Sequence, residues 1–254
     1  MIVLLSPAKS LDFSPTEYPH FSQPRMLEKS EELISNLKKK SSKKLQTLMG
    51  ISKNIADLNV ERFNTFSLPF NPENAKPAIY AFNGDVYTGL NARDFVGEEI
   101  GFAQKHIRIL SGLYGVLKPL DLIQPYRLEM GTSLKHKRKK NLYEFWDKTI
   151  TDILNEDLEA AGSQIVVNLA SKEYFHAVKP ALLNGEILNV DFKENRNGEL
   201  KIISFNAKKA RGSMAHLIVK EAITEKDKLK ELQVDGYVFS KENSDEWNYC
   251  FVKN

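Results

Sequence analysis

The chain has 254 residues, 42% hydrophobic and 27% charged, so it can bury a sizeable core without disulfide or metal staples. Its single cysteine, Cys250, excludes an internal disulfide framework and a cysteine-based zinc site, and fits a reducing compartment. A formal net charge of +3 decides nothing about partners by itself.

The first apolar run, Ile2 to Leu5, closes at Ser6-Pro7 as a buried strand closes before a turn. That run is too short for a signal peptide, and nowhere do enough apolar residues run together to span a bilayer, so the expectation is a cytoplasmic chain with no membrane partner. Residues 24–40 place Met26, Leu27, Leu33, Ile34 and Leu37 at helical spacing, and a second helical stretch covers 43–56. Three prolines (Pro69, Pro72, Pro77) mark 67–77 as a connecting loop. A strand is predicted over 78–82, closed by the turn Asn83-Gly84-Asp85, and a helix over 95–105. Ile107 and Ile109 belong to a strand broken at Ser111-Gly112, and 142–161 is an amphipathic helix ending at Gly162. After a strand at 165–169, the runs 187–192 and 200–205 flank Asn197-Gly198, a strong hairpin signal. A helix over 207–224 and a last hairpin of 237–239 with 249–252 complete the chain, leaving Cys250 as an inert thiol on the final strand. This alternation predicts an α/β (mixed α+β) class: one compact domain over 1–254, with a mixed sheet flanked by helices.

Charge is unevenly spread. Lys38, Lys39, Lys40, Lys43 and Lys44 fall within seven positions, and Lys135-His136-Lys137-Arg138-Lys139-Lys140 forms a second block. Either block alone reads better as a solvated helix face or basic loop without a partner; two on a nearly neutral chain tilt the reading modestly toward nucleic acid. The five histidines (His20, His106, His136, His176, His216) are scattered, with no ligand pair at helical spacing, so no resident metal and no cofactor is expected.

Polar residues and glycines concentrate at the ends of predicted strands, where ligand sites of α/β folds lie. The segments are Ser6-Pro7-Ala8-Lys9-Ser10-Leu11-Asp12, Gly84-Asp85-Val86-Tyr87-Thr88-Gly89-Leu90, the long run 110–131, Asn168-Leu169-Ala170-Ser171 and Lys208-Lys209-Ala210-Arg211-Gly212. In these segments, in order and nearly end to end, the chain resembles the YaaA family of peroxide-stress proteins. The resemblance implies survival of peroxide stress through a lowering of free iron, and binding of duplex or distorted DNA without sequence specificity. It also implies a helix-hairpin-helix element on an unusual single-domain fold.

One segment carries that element. Leu45 and Leu48 precede Gly50-Ile51-Ser52, Ala56 and Leu58 follow, and Ser52 stands where the motif has its second glycine. Lys43, Lys44 and Lys53 flank the turn, so Lys43, Lys44, Gly50, Ile51, Ser52 and Lys53 are the candidate DNA-binding residues, the lysines acting on phosphates rather than bases. The packed amphipathic helix pair is the alternative for this segment. Ser111-Gly112-Leu113-Tyr114-Gly115 is a weaker hairpin candidate, its glycines one position too far apart.

An enzyme acting on a nucleotide or nucleic acid is the competing reading. Ser6, Lys9, Asp85, Ser111 and Arg211 are its candidate catalytic residues, Asp85 as general base, while Lys9, Arg127, Lys208, Lys209 and Arg211 are candidate anion binders for a nucleotide-like ligand. Asp85 in a turn and serines capping helices explain the same residues structurally. The balance favours a protein that binds over one that catalyses, acting as a monomer.

Overall fold

A computed structural model of the chain describes residues 1–18 and 20–254. Eight strands build the main sheet: β1 (Ile2–Leu5), β2 (Ile107–Ser111), β3 (Gly115–Leu117), β4 (Ile165–Asn168), β5 (Glu186–Arg196), β6 (Glu199–Lys201), β7 (Val238–Phe239) and β8 (Asn248–Lys253). The spatial order is β7-β8-β5-β4-β1-β2-β3, with β6 folded onto β5. β8, β5, β4, β1 and β2 run parallel, and the hairpin strands β3, β6 and β7 are antiparallel. β1 is central, with Val3 opposite Ile107 on one side and Val167 on the other. A parallel strand covered on both faces needs a continuous apolar run, which is how Ile2–Leu5 reads. From β1 the chain crosses to β2 on one side, then returns to β4 on the other and continues outward to β5 and β8. The crossover direction therefore reverses between β1 and β4.

Among the described residues ten α-helices surround this sheet: α1 (Leu27–Leu37), α2 (Ser42–Met49), α3 (Lys53–Thr65), α4 (Ala78–Ala81), α5 (Asp85–Leu90), α6 (Gly97–His106), α7 (Leu142–Trp146), α8 (Thr149–Ala160), α9 (Lys172–Phe175) and α10 (Ser204–Lys220). One hydrophobic cluster runs from Met1 to Phe251, which makes the molecule a single compact mixed α/β domain. The buried Arg108 of β2 is held by Asp157 of α8 (Nε–Oδ2 2.6 Å, Nη2–Oδ1 2.8 Å), which Arg25 grips from its other side. Burial pushes the Asp157 carboxyl up, but the two guanidiniums outweigh it and hold it below its ordinary value.

Four local expectations are corrected. Residues 78–81 form α4, and only Phe82–Asn83 is strand; a short run buried on all sides has no periodicity to separate the two. The stretch 43–56 is two helices, because Gly50 adopts a left-handed φ of 61° and ends α2. Asp147, at φ 49°, divides 142–161 into α7 and α8. The partner of β5 in the Asn197-Gly198 hairpin stops at Lys201, since α10 starts at Ser204 and ends at Lys220.

Candidate functional site

The segment after β1 is pinned from three directions. Ser10–Leu11 pairs antiparallel with Phe82–Asn83, which sets it beside Asn83-Gly84-Asp85. The Tyr87 hydroxyl donates to the Ser6 carbonyl at 3.1 Å. The Ser6 hydroxyl accepts from the Ser171 amide at 2.8 Å and donates to the Ser171 hydroxyl at 3.3 Å, tying the end of β1 to the end of β4.

α10 completes the arrangement by crossing α5 at backbone contact. A Cβ on Gly212 would lie 1.8 Å from the Val86 carbonyl oxygen, and one on Gly89 would lie 2.2 Å from the Lys209 carbonyl oxygen. Only hydrogen fits on either side, so the two glycines, which sit far apart in sequence, set one crossing. That crossing brings Lys208 and Arg211 of α10 opposite Asp85 at the start of α5.

Together these elements enclose a cavity of about 450 Å³ lined by Ser6, Lys9, Asp85, Ser171, Lys208 and Arg211, among others. It opens beyond the carboxyl ends of β1 and β4, where the crossover direction reverses, the place open α/β sheets use for ligands. Arg211 is half-buried, its Nε has no acceptor, and burial lowers its pKa against the weak opposing pull of Asp191. Lys9 pairs with Glu129 at 3.2 Å. Among the described residues, neither Asp85 nor Lys208 has an ion-pair partner.

The cavity thus unites Ser6, Lys9, Asp85, Lys208 and Arg211 and leaves out the other candidates. Ser111 is fully buried; its hydroxyl bonds the Tyr126 hydroxyl at 2.7 Å and accepts from the Leu113 and Tyr114 amides. It shapes the turn between β2 and β3, and the same burial removes Ser111-Gly112-Leu113-Tyr114-Gly115 as a DNA-facing hairpin. Arg127 is engaged by Glu129 at 2.8 Å, and Lys209 faces Asp235 at 3.8 Å. Burial would raise Glu129, but Arg127 and Lys9 hold its carboxyl below the usual range.

The basic helix pair lies elsewhere on the domain. Gly50-Ile51-Ser52 joins α2 to α3, with Leu45 and Ala56 buried beneath. Ser52 has a φ of −65° and caps α3, its hydroxyl accepting from the Ile55 amide at 3.4 Å, so no second glycine is needed there. Lys40, Lys43 and Lys44 line a shallow groove with Thr47 and Leu48. Burial and the Lys44 ammonium lower the Lys40 pKa, as expected of cations without counter-charge. Lys53, by contrast, is paired with Asp57 at 2.6 Å. The second basic block is partly neutralised too: His136 and Lys137 reach Glu32, and Lys139 lies 3.9 Å from Asp147.

A family model described as peroxide stress protein YaaA matches residues 1–243. The chain belongs to the YaaA family. It is 51% identical to a UPF0246 protein of Alteromonas mediterranea over 255 residues, covering all of this chain and 98% of the relative. A UPF0246 protein of Saccharophagus degradans is also 51% identical, over 254 residues, covering all of this chain and 99% of that relative. In this YaaA-family chain the long 110–131 segment is largely scaffold: Ser111 and Gly112 build a buried turn, and the Gly115 backbone packs on Trp146. Sequence reasoning assigned no role to Glu129 or Ser171, which bond to residues of the cavity. Both lie inside segments already singled out, Ser171 in 168–171 and Glu129 in 110–131.

Proposed function

We propose that this YaaA-family protein binds DNA without regard to sequence, through the α2–α3 pair used as a helix-hairpin-helix. The observation that supports this most directly is the lysine cluster at 38–44, none of whose members has a carboxylate partner among the described residues. Phosphates supply the missing negative charge, and lysines reading phosphates carry no sequence information. Bound in the cytoplasm, the protein shields DNA where peroxide and iron generate radicals. The accompanying fall in free iron is indirect. Equilibrium binding to two duplexes of unrelated sequence tests the reading. Equal affinities, about micromolar or weaker at physiological salt, are expected; strong preference for one duplex, or no binding at low salt, defeats it.

A second reading is favoured by one observation, the meeting of Ser6, Lys9, Asp85 and Arg211 in one cavity. It makes the protein an enzyme on a nucleotide or nucleic acid with Asp85 as general base. Incubation with nucleotides and short duplexes, followed by product analysis, decides it. Turnover abolished by Asp85→Asn supports catalysis; no turnover of any of them leaves a protein that acts by binding.

A further inference from the structure

The cavity beyond β1 and β4 is lined by Lys9, Lys208 and Arg211 and by the carboxylates of Asp85 and Glu173; among the described residues neither Lys208 nor Arg211 forms an ion pair. Arg211 is half-buried with an unsatisfied Nε, and Lys208 projects from the same helix three positions earlier, so both address one volume. A guanidinium withdrawn from water with an Nε that lacks an acceptor is costly, and its planar fork matches the oxygens of a phosphate. Asp85 faces the same space as an acceptor with no side-chain donor among the described residues. The complementary ligand therefore carries a phosphate at one end and hydrogen-bond donors at the other. A cavity of about 450 Å³ falls within the range of small-molecule sites.

At the cavity wall Lys9 belongs to a mixed cluster of charges. Arg62 of α3 is half-buried; burial first, and then the Arg127 charge, lower its pKa. Arg127 pairs with Glu129, and Glu129 with Lys9 at the cavity wall.

We infer that the cavity holds a single nucleotide, its phosphate on Arg211 and Lys208 and a donor of its base or sugar on Asp85. This rests on the nucleotide reading of the cavity and gives it a ligand class. The nucleotide has two possible sources, a free nucleoside monophosphate or a nucleotide unstacked from bound DNA.

Two arms separate the sources. In the first, calorimetry compares dAMP with deoxyadenosine on the wild type, Lys208→Ala and Arg211→Lys. Lys208 is exposed, so its variant keeps the fold, which an unchanged melting curve verifies. dAMP is expected to bind, deoxyadenosine to bind at least about tenfold more weakly, and each substitution to weaken dAMP about tenfold or more. In the second arm, a duplex with one unpaired 2-aminopurine nucleotide is titrated with protein and base fluorescence is followed. A rise with the wild type that Lys208→Ala lacks, both read with the duplex saturated by protein, assigns the site to nucleotides of DNA. Either positive arm supports the inference. Absence of both signals, or dAMP binding indifferent to both substitutions, overturns it. Duplex affinity of a Lys43→Ala/Lys44→Ala variant reads the helix-pair proposal separately, so the two fail independently.

Discussion

Replacing Gly212 by alanine tests how the site is assembled. The added methyl would sit 1.8 Å from the Val86 carbonyl oxygen and 2.7 Å from the Leu90 amide nitrogen, both backbone atoms of α5. Non-bonded carbon and oxygen settle at about 3.3 Å, so α5 and α10 must part by roughly 1.5 Å. Overpacking of a core costs about 1–3 kcal/mol, and a clash with backbone belongs at the top of that range because no side chain can swing away. For a domain of this size about 3 kcal/mol corresponds to a fall in Tm of roughly 6–12 °C. Gly101, in α6, provides the control: a Cβ there meets nothing within 4 Å, so Gly101→Ala gains helix propensity and holds or raises Tm. Thermal unfolding by circular dichroism reads both variants. The separation also pulls Lys208 and Arg211 away from Asp85, so dAMP binding weakens in parallel in Gly212→Ala. A Gly212→Ala protein melting with the wild type would refute the close crossing and the site built on it.

Other expectations follow from individual side chains. Asp157→Ala leaves Arg108 buried without its anion and destabilises by about 3–5 kcal/mol in urea unfolding. Because the folded Asp157 pKa is depressed, its stabilisation is complete above the ordinary carboxylate pKa and disappears as pH falls through the lower folded value; the wild type loses this share of stability on acidification, and Asp157→Ala lacks it. Ser111→Ala strips partners from the Leu113 and Tyr114 amides and from the Tyr126 hydroxyl, costing about 1–3 kcal/mol while leaving dAMP affinity unchanged. Cys250 is 3% exposed and burial raises its thiol pKa, so thiol reagents label it slowly in native protein and rapidly in denaturant.

The parallel core strands are legible in the sequence because burial on both faces leaves an unbroken apolar signature, as at Ile2–Leu5. The hairpins are legible through their turns, Asn197-Gly198 above all. Residues 78–81 are not, since four or five buried residues fit either a helical turn or a strand. Ser6, Lys9, Asp85 and Arg211 stand out one by one as polar residues at strand ends or on a basic helix. That they meet depends on the Gly89–Gly212 crossing, a backbone contact between residues over a hundred positions apart. Ser111 shows the opposite limit: a hydroxyl after a strand looks the same in sequence whether it faces a ligand or satisfies buried amides.

Salt dependence of duplex binding bears most directly on the proposed function. Affinity is measured across a salt series for the wild type and for the Lys43→Ala/Lys44→Ala/Lys53→Ala variant. The wild type is expected to lose affinity steeply, and the variant's log–log slope to be shallower by about 0.9 for each phosphate contact removed. Lys43 and Lys44 should account for most of the change, since Lys53 is already paired with Asp57. Equal slopes and equal affinities in the two proteins would place DNA binding, if any, away from α2 and α3.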